Sequence, residues 1–204
     1  MPTQVETNIF EACEFNDANF SALTLDRREL QNKTFENCQF VDSSFAETKF
    51  ADCKFIDCTF KSCNLSNAQF KNTAFSDVVF GESKLIGISW TELKWPYINL
   101  ISPIKFQKCN LSHSSFYELC LKELVIEDCK AHDVDFRGGD FSGGNFVHTD
   151  FKSSLFRRTK LRGCDFRGAS NYGIDPNENE IAKAKFSMPD VINLLHKFGI
   201  EIQF

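Results

Sequence analysis

From Phe10 to Leu100, every fifth residue of this chain is large and apolar, 19 positions without a miss. The series reads Phe10, Phe15, Phe20, Leu25, Leu30 and onward through Phe80, Leu85, Trp90, Trp95 and Leu100. One extra residue enters within Ile101–Lys105, and the series resumes at Phe106 and runs to Phe166, with Ala131 the only small member. Period five matches neither an α-helix, at 3.6 residues per turn, nor a strand, at two. A coil that turns a corner once per repeat does match it, because one residue in five then points to the axis and equivalent positions stack. The register also explains the composition, since it holds 20 of the 23 phenylalanines. The other three are Phe186, Phe198 and Phe204, which lie beyond it.

The residue two before each central Phe or Leu faces the same side of an extended segment. It is therefore predicted to point inward and to be small. Cys13, Ala18, Cys38, Ser43, Thr48, Cys53, Cys58, Cys63, Cys109, Ser114, Gly139, Gly144 and Cys164 hold such positions. Eight of the nine cysteines fall there and only Cys120 does not, so the cysteine excess reads as core packing rather than a disulfide framework.

The segments CEFND, ANFSA, CQFVD, CKFID, CTFKS, CNLSN, AQFKN and CDFRG resemble the A(D/N)LXX unit of pentapeptide-repeat proteins. The resemblance implies an all-β fold, a right-handed quadrilateral parallel β-helix with four repeats per coil. The 32 in-register units then make about eight coils, a rod of roughly 38 Å at the spacing of paired strands. If the extra residue near position 101 bulges without shifting the winding, one column reads Phe15, Phe35, Phe55, Phe75, Trp95, Phe116, Phe136, Phe156. Its neighbour reads Phe20, Phe40, Phe60, Phe80, Leu100, Leu121, Phe141, Leu161.

The repeat domain is assigned to residues 1–168 and a C-terminal cap and dimerisation segment to 169–204. In the latter, Ser187 is a predicted N-cap with Pro189 in the first turn of a short helix. Met188, Val191, Ile192, Leu195 and Phe198 form its apolar stripe and Gly199 its stop. Alternating Ile200, Ile202 and Phe204 read as a terminal strand.

No apolar run reaches the length of a membrane span, and MPTQVETNIF lacks the basic and apolar regions of a secretory signal, so a cytoplasmic protein is expected. Net charge is −5, which argues against wrapping nucleic acid, and no sequence-specific nucleic-acid binding is expected. Cys53, Cys58 and Cys63 stand five apart, unlike the two-to-four spacing of zinc sites. GGDFSGGNF lacks the Lys-Ser/Thr ending of a phosphate loop, and its glycines read as corner residues. No catalytic residue, metal or cofactor is assigned, and an enzyme is not expected.

Charge is banded in the second half. Glu118, Glu123, Glu127, Asp128, Asp133, Asp135 and Asp140 fall within about one coil and are followed by Lys152, Arg157, Arg158, Lys160, Arg162 and Arg167. Two readings stand: ordinary solvated surface, or a surface read by a partner. The long single coil domain and the ending LLHKFGIEIQF are similar to those of the bacterial topoisomerase-protecting group, which includes the Qnr, MfpA, albicidin-immunity and microcin B17-immunity types. That resemblance implies a homodimer through the C-terminus that binds DNA gyrase, often also topoisomerase IV, by partial DNA mimicry and counters a poison. The charge banding makes the acidic band the expected gyrase contact, and the break in the repeat adds the irregular Trp95, Pro96 and Tyr97. The dimer contacts would be Val191, Leu194, Leu195, Phe198, Ile200, Ile202 and Phe204. The uninterrupted repeats place the chain nearer the loop-less immunity types than Qnr proteins with projecting loops. The alternative is a structural or scaffolding β-helix that binds an unrelated protein.

Overall fold

Each five-residue unit makes one short strand or a single β-bridge, followed by a corner. The strand centres on the large apolar residue, and the corner lies two residues later in the left-handed region. Asp17, Ala22, Arg27 and Asn32 take φ of 53°, 53°, 59° and 54° on four successive corners. Such a conformation disfavours most L-residues and suits Asn, Asp and Gly, which accounts for their recurrence there. Most corner N–H groups are satisfied by the next turn, as when Asp17 N–H donates to the Glu36 carbonyl at 3.0 Å. The computed structural model describes residues 9–95 and 102–200 as a parallel β-solenoid of about eight turns. The expected all-β repeat architecture is therefore what the chain adopts.

We name the four faces by their first central residues: face A begins with Phe15, face B with Phe20, face C with Leu25 and face D with Leu30. Partners 20 residues apart pair in parallel, Phe15 with Phe35 and Phe20 with Phe40. Central residues are almost wholly enclosed, and their rings form ladders. Phe35 and Phe55 stack at 4.9 Å and 11°, and Phe40 and Phe60 at 4.5 Å and 9°. Parallel stacks run along the axis and edge-to-face contacts link neighbouring columns, so large rings fill the narrow interior.

The expected columns hold only up to Phe80. There the structure pairs Phe80 with Phe106, 26 residues on, and stacks Trp90 on Phe116 at 5.6 Å. Six additional residues therefore enter between Trp95 and Phe106, rather than one, and the later half shifts by one face. Phe116, Phe136 and Phe156 belong with Leu30, Phe50, Phe70 and Trp90 on face D, not with Phe75. Leu121, Phe141 and Leu161 continue face A rather than the Phe80 column. One and six residues are the same displacement in a five-residue period, so the periodicity alone could not separate them.

The coil also extends past Gly168. Asp150 bridges to Ser170, Lys160 bridges to Glu180, and Phe166 stacks on Phe186 at 5.2 Å and 6°. Ile181 and Phe186 are on register; Asn171 and Pro176 interrupt the apolar series between them. Tyr172 and Ile174 supply the missing apolar volume instead. The boundary at 168 thus cuts through the last turn.

Of the inward small positions, Cys38, Cys53, Cys58, Cys63, Cys109, Cys129 and Cys164 are buried, whereas Cys13 is exposed. Cys13 lies on the first turn, where no preceding turn covers it. Burial is only half of their role. Cys58 Sγ donates to the Phe35 carbonyl at 3.4 Å, Thr48 Oγ1 to Leu25 at 2.7 Å and Thr159 Oγ1 to Phe136 at 3.1 Å. Cys, Ser and Thr recur here because each is small and carries a donor that reaches the central carbonyl one turn below.

At the C-terminus Ser187 does not cap a helix; its Oγ accepts the Gly168 N–H at 2.8 Å. The helix is a single turn, Ile192–Leu195, followed by a 3-10 turn, His196–Phe198. Gly199 ends it at φ 69°, as expected. The predicted terminal strand falls largely on residues 201–204, outside the described residues.

Candidate interaction surface

The acidic band does not gather into a patch. Glu118, Glu123, Asp128 and Asp133 occupy four successive corners, with φ of 57°, 57°, 53° and 55°, and therefore encircle one turn. Asp135, Asp140 and Glu127 stand beside central residues of faces D, A and B, completing a ring. Several members have cationic or titratable partners on adjoining units. Asp135 meets Arg137 at 2.7 Å, Asp128 meets His148 at 3.4 Å, Asp133 meets His113 at 3.9 Å and Asp140 meets Lys160 at 4.0 Å. Burial raises the Asp135 pKa, but the Arg137 fork outweighs it and holds this carboxyl below its ordinary value.

A different set of carboxylates lines one edge. The corner after face A carries Asp17, Asn37, Asp57 and Asp77 on four consecutive turns, all exposed. Asn37 Nδ2 donates to Asp17 Oδ1 at 2.5 Å, and Glu36 adjoins them in a shallow groove with Asp57. The opposite corner of face A repeats the theme, with Asn72 donating to Asp52. The signal was present in the sequence: aspartate or asparagine recurs every 20 residues two places after the face-A ring. The contiguous acidic run around 118–140 was more conspicuous, but contiguity along a coil disperses side chains around it.

Trp95 stands where face A is interrupted. Its indole Nε1 donates to the Trp90 carbonyl at 2.9 Å, and its ring packs partly buried against the core. Beside it lies a surface groove of ≈ 860 Å³, lined by Phe75, Trp95, Pro103, Lys54, Lys94 and Lys105 among others. The rod therefore has a cleft that a uniformly filled coil would lack. Pro96 and Tyr97 lie outside the described residues.

The core thiols are placed for packing. Burial pushes Cys58 and Cys63 up to about 11 and Cys164 up to about 12, which disfavours the nucleophilic thiolate. Among the described residues no group of His, Cys, Asp and Glu is arranged to hold a metal ion. No helix among them is long and apolar enough to cross a membrane.

The C-terminal apolar residues divide in two. Leu194 is buried and Val191 packs against the coil, whereas Leu195, Phe198 and Ile200 are 42%, 52% and 47% exposed. Met188 beside them is 71% exposed. Ile202 and Phe204 lie outside the described residues.

The family profile described as "Pentapeptide repeat region" matches residues 33–102 and 98–166, well over half of the chain. The chain belongs to the pentapeptide-repeat family. No curated protein matches it significantly in sequence. Among solved structures, a trypsin-treated variant of QnrB1, a plasmid-mediated fluoroquinolone resistance protein, superposes with a TM-score of 0.72 at 17% identity. That match covers 94% of this chain and 100% of that one. Full-length QnrB1 gives 0.55 at 20% identity, covering 92% and 100%. HetL, a pentapeptide-repeat protein involved in heterocyst differentiation regulation in the cyanobacterium Nostoc sp. strain PCC 7120, gives 0.50 at 14% identity, covering 93% and 98%. At these identities the likeness is one of fold.

Proposed function

We propose that this pentapeptide-repeat protein binds bacterial DNA gyrase, and topoisomerase IV by the same surface, and protects it from an antibiotic or toxin poison without catalysing a reaction. It does so in the cytoplasm as a rod-shaped homodimer. The observation that carries the reading is the full-length likeness of fold to QnrB1, a fluoroquinolone resistance protein, joined to the sequence resemblance to the topoisomerase-protecting group. A core filled by ring ladders leaves the outer surface as the working part.

The acidic edge after face A is the contact we assign to DNA mimicry. Three carboxylates, Asp17, Asp57 and Asp77, spread over three turn spacings, about 14 Å at the strand-pairing distance. The three charges therefore stand about 7 Å apart on average, roughly half the linear density of one strand of duplex DNA at 3.4 Å per charge, so mimicry is partial and local to this edge. Dimerisation is assigned to Leu195, Phe198 and Ile200, whose exposed apolar surface is continuous with the capping residues Val191 and Leu194.

A supercoiling and cleavage assay with purified gyrase and a fluoroquinolone tests this. The wild-type chain is expected to reduce poison-stabilised cleavage, and reversal of Asp17, Asp57 and Asp77 to lysine to abolish the effect with the circular dichroism unchanged. If supercoiling, cleavage and poison sensitivity are all unaffected, a scaffolding role is the better reading. The likeness to HetL favours that second reading, because there the same fold serves in the regulation of differentiation.

A further inference from the structure

The edge that is acidic at one end of the rod changes sign at the other. Along the corner after face A, Asp17, Asn37, Asp57 and Asp77 give way beyond Glu123 to Gly143, Gly163 and Lys183 on successive turns. Face A at that end presents Lys160 and Arg162, and the corner before it presents Arg158, all exposed. Residues 157–185 hold seven cationic side chains against four carboxylates, whereas the remainder of the chain holds 16 against 24. The basic end is therefore a distinct field on an acidic protein.

We infer that this basic face, built from Arg158, Lys160, Arg162 and Lys183, binds the phosphate backbone of duplex DNA without reading its bases. Three observations lead there. Arg158 and Lys183 have no carboxylate within ion-pair distance among the described residues, while the exposed Lys160 and Arg162 meet the half-buried Asp140 and the exposed Glu180 only at 4.0 and 3.7 Å. Pairs this long with an exposed cation contribute little and leave the cation free to exchange partners. Second, the cations lie on an open face over two turns and converge on no enclosed pocket. That arrangement suits a repeating linear polyanion better than a single small anion. Arg158, Lys160 and Arg162 follow at every second residue of one turn, roughly 6–7 Å apart, and Lys183 stands on the corner of the next, an interval of about two phosphates along a strand. Third, a Cβ added to Gly163 would meet nothing within 4 Å, so this corner is open and side-chain-free between Arg162 and Lys183. A rigid duplex can approach the backbone there, and Arg forks can grip phosphate oxygens. The inference stands apart from the assignment of a topoisomerase partner and from dimerisation.

The test is fluorescence anisotropy of a short mixed-sequence duplex with the full chain over a range of salt. Binding is expected to be independent of sequence and to weaken with salt. Reversing Arg158 and Lys183 to glutamate should weaken it about tenfold or more and lower the salt slope by about two, one per lost phosphate contact. Glutamate is compatible with both corners, since Glu118 and Glu123 take the same left-handed conformation. Reversing the exposed Lys61 and Lys71, far from this face, should leave binding unchanged. The inference is overturned if the wild-type chain fails to bind DNA at low salt, or if the distant reversal weakens binding equally. Equal competition by polyglutamate would also overturn it, assigning the face to an acidic protein.

Discussion

The Cys109 thiol donates to the Phe80 carbonyl at 3.3 Å, 29 residues back along the chain. Ser114 likewise reaches back 29 to Leu85, whereas away from this point the same bond reaches back 23, as from Cys63 to Phe40 and from Thr149 to Ile126. The six-residue difference is the insertion between Trp95 and Phe106, measured from inside the core. The bond survives because the chain stands on face A at Trp95 and on face B by Phe106, so every later turn still lies squarely on the one before.

That offset is testable by crosslinking. Gly81 and Gln107 pair directly, and both are accessible from outside. Strand partners stand within the Cα separation a disulfide requires. Gly81→Cys with Gln107→Cys should form an intramolecular bridge under mild oxidation, mapped by peptide mass. A bridge from position 81 to a cysteine at Ile101 instead would restore the single-residue bulge.

Removing a ring from the ladder should be costly. Phe55 is 1% exposed between Phe35 and Phe75, and Phe55→Ala should destabilise by about 3–5 kcal/mol in denaturant unfolding. Lys54→Ala, one residue away on the outside, should cost less than about 0.5 kcal/mol. Similar values at the two sites would contradict the inward register.

The inward hydroxyls and thiols should matter through their donors. Thr159→Val keeps the shape but removes the side-chain donor to the Phe136 carbonyl, which retains the Gly139 N–H, at a cost of about 0.5–1.5 kcal/mol. Thr159→Ser retains the donor and should recover much of that loss. Thermal unfolding of the two variants decides whether the position is chosen for volume alone.

Thiol labelling of the native chain should modify Cys13 and Cys120 only. The other seven cysteines are buried, and burial raises Cys58, Cys63 and Cys164. Labelling of a third cysteine before unfolding would show that the core opens locally.

Acid should weaken the later turns. Hydrogen bonding by Arg167 lowers the Asp165 pKa; at Asp150, burial raises the pKa but bonds from Asn171 and His132 outweigh it. A depressed folded pKa contributes stability above the unfolded value, and that stability is lost as pH falls through the folded value. Unfolding midpoints should therefore fall below about pH 4, the ordinary carboxylate range, and Asp165→Asn should flatten the fall. An unchanged acid limb in that variant would remove Asp165 from the account.

The five-residue period determined the architecture before any coordinates, because a hydrophobic repeat of that length permits only a coil turning at each unit. It also located the inward cysteines, since spacing from the ring fixes which side of a short strand a residue occupies. What it left open was everything that depends on counting turns. Displacements of one and six residues are identical modulo five, so the stacking of Phe116 on Trp90 rather than above Phe75 was decided only when backbone pairing joined Phe80 to Phe106. The same limit applied to charge. Glu118, Glu123, Asp128 and Asp133 are neighbours in sequence but face four ways, whereas Asp17, Asp57 and Asp77 are far apart in sequence but stand on one edge. Period is a local property of the chain; an edge exists only once turns are stacked, because it joins residues whose separation is a whole coil.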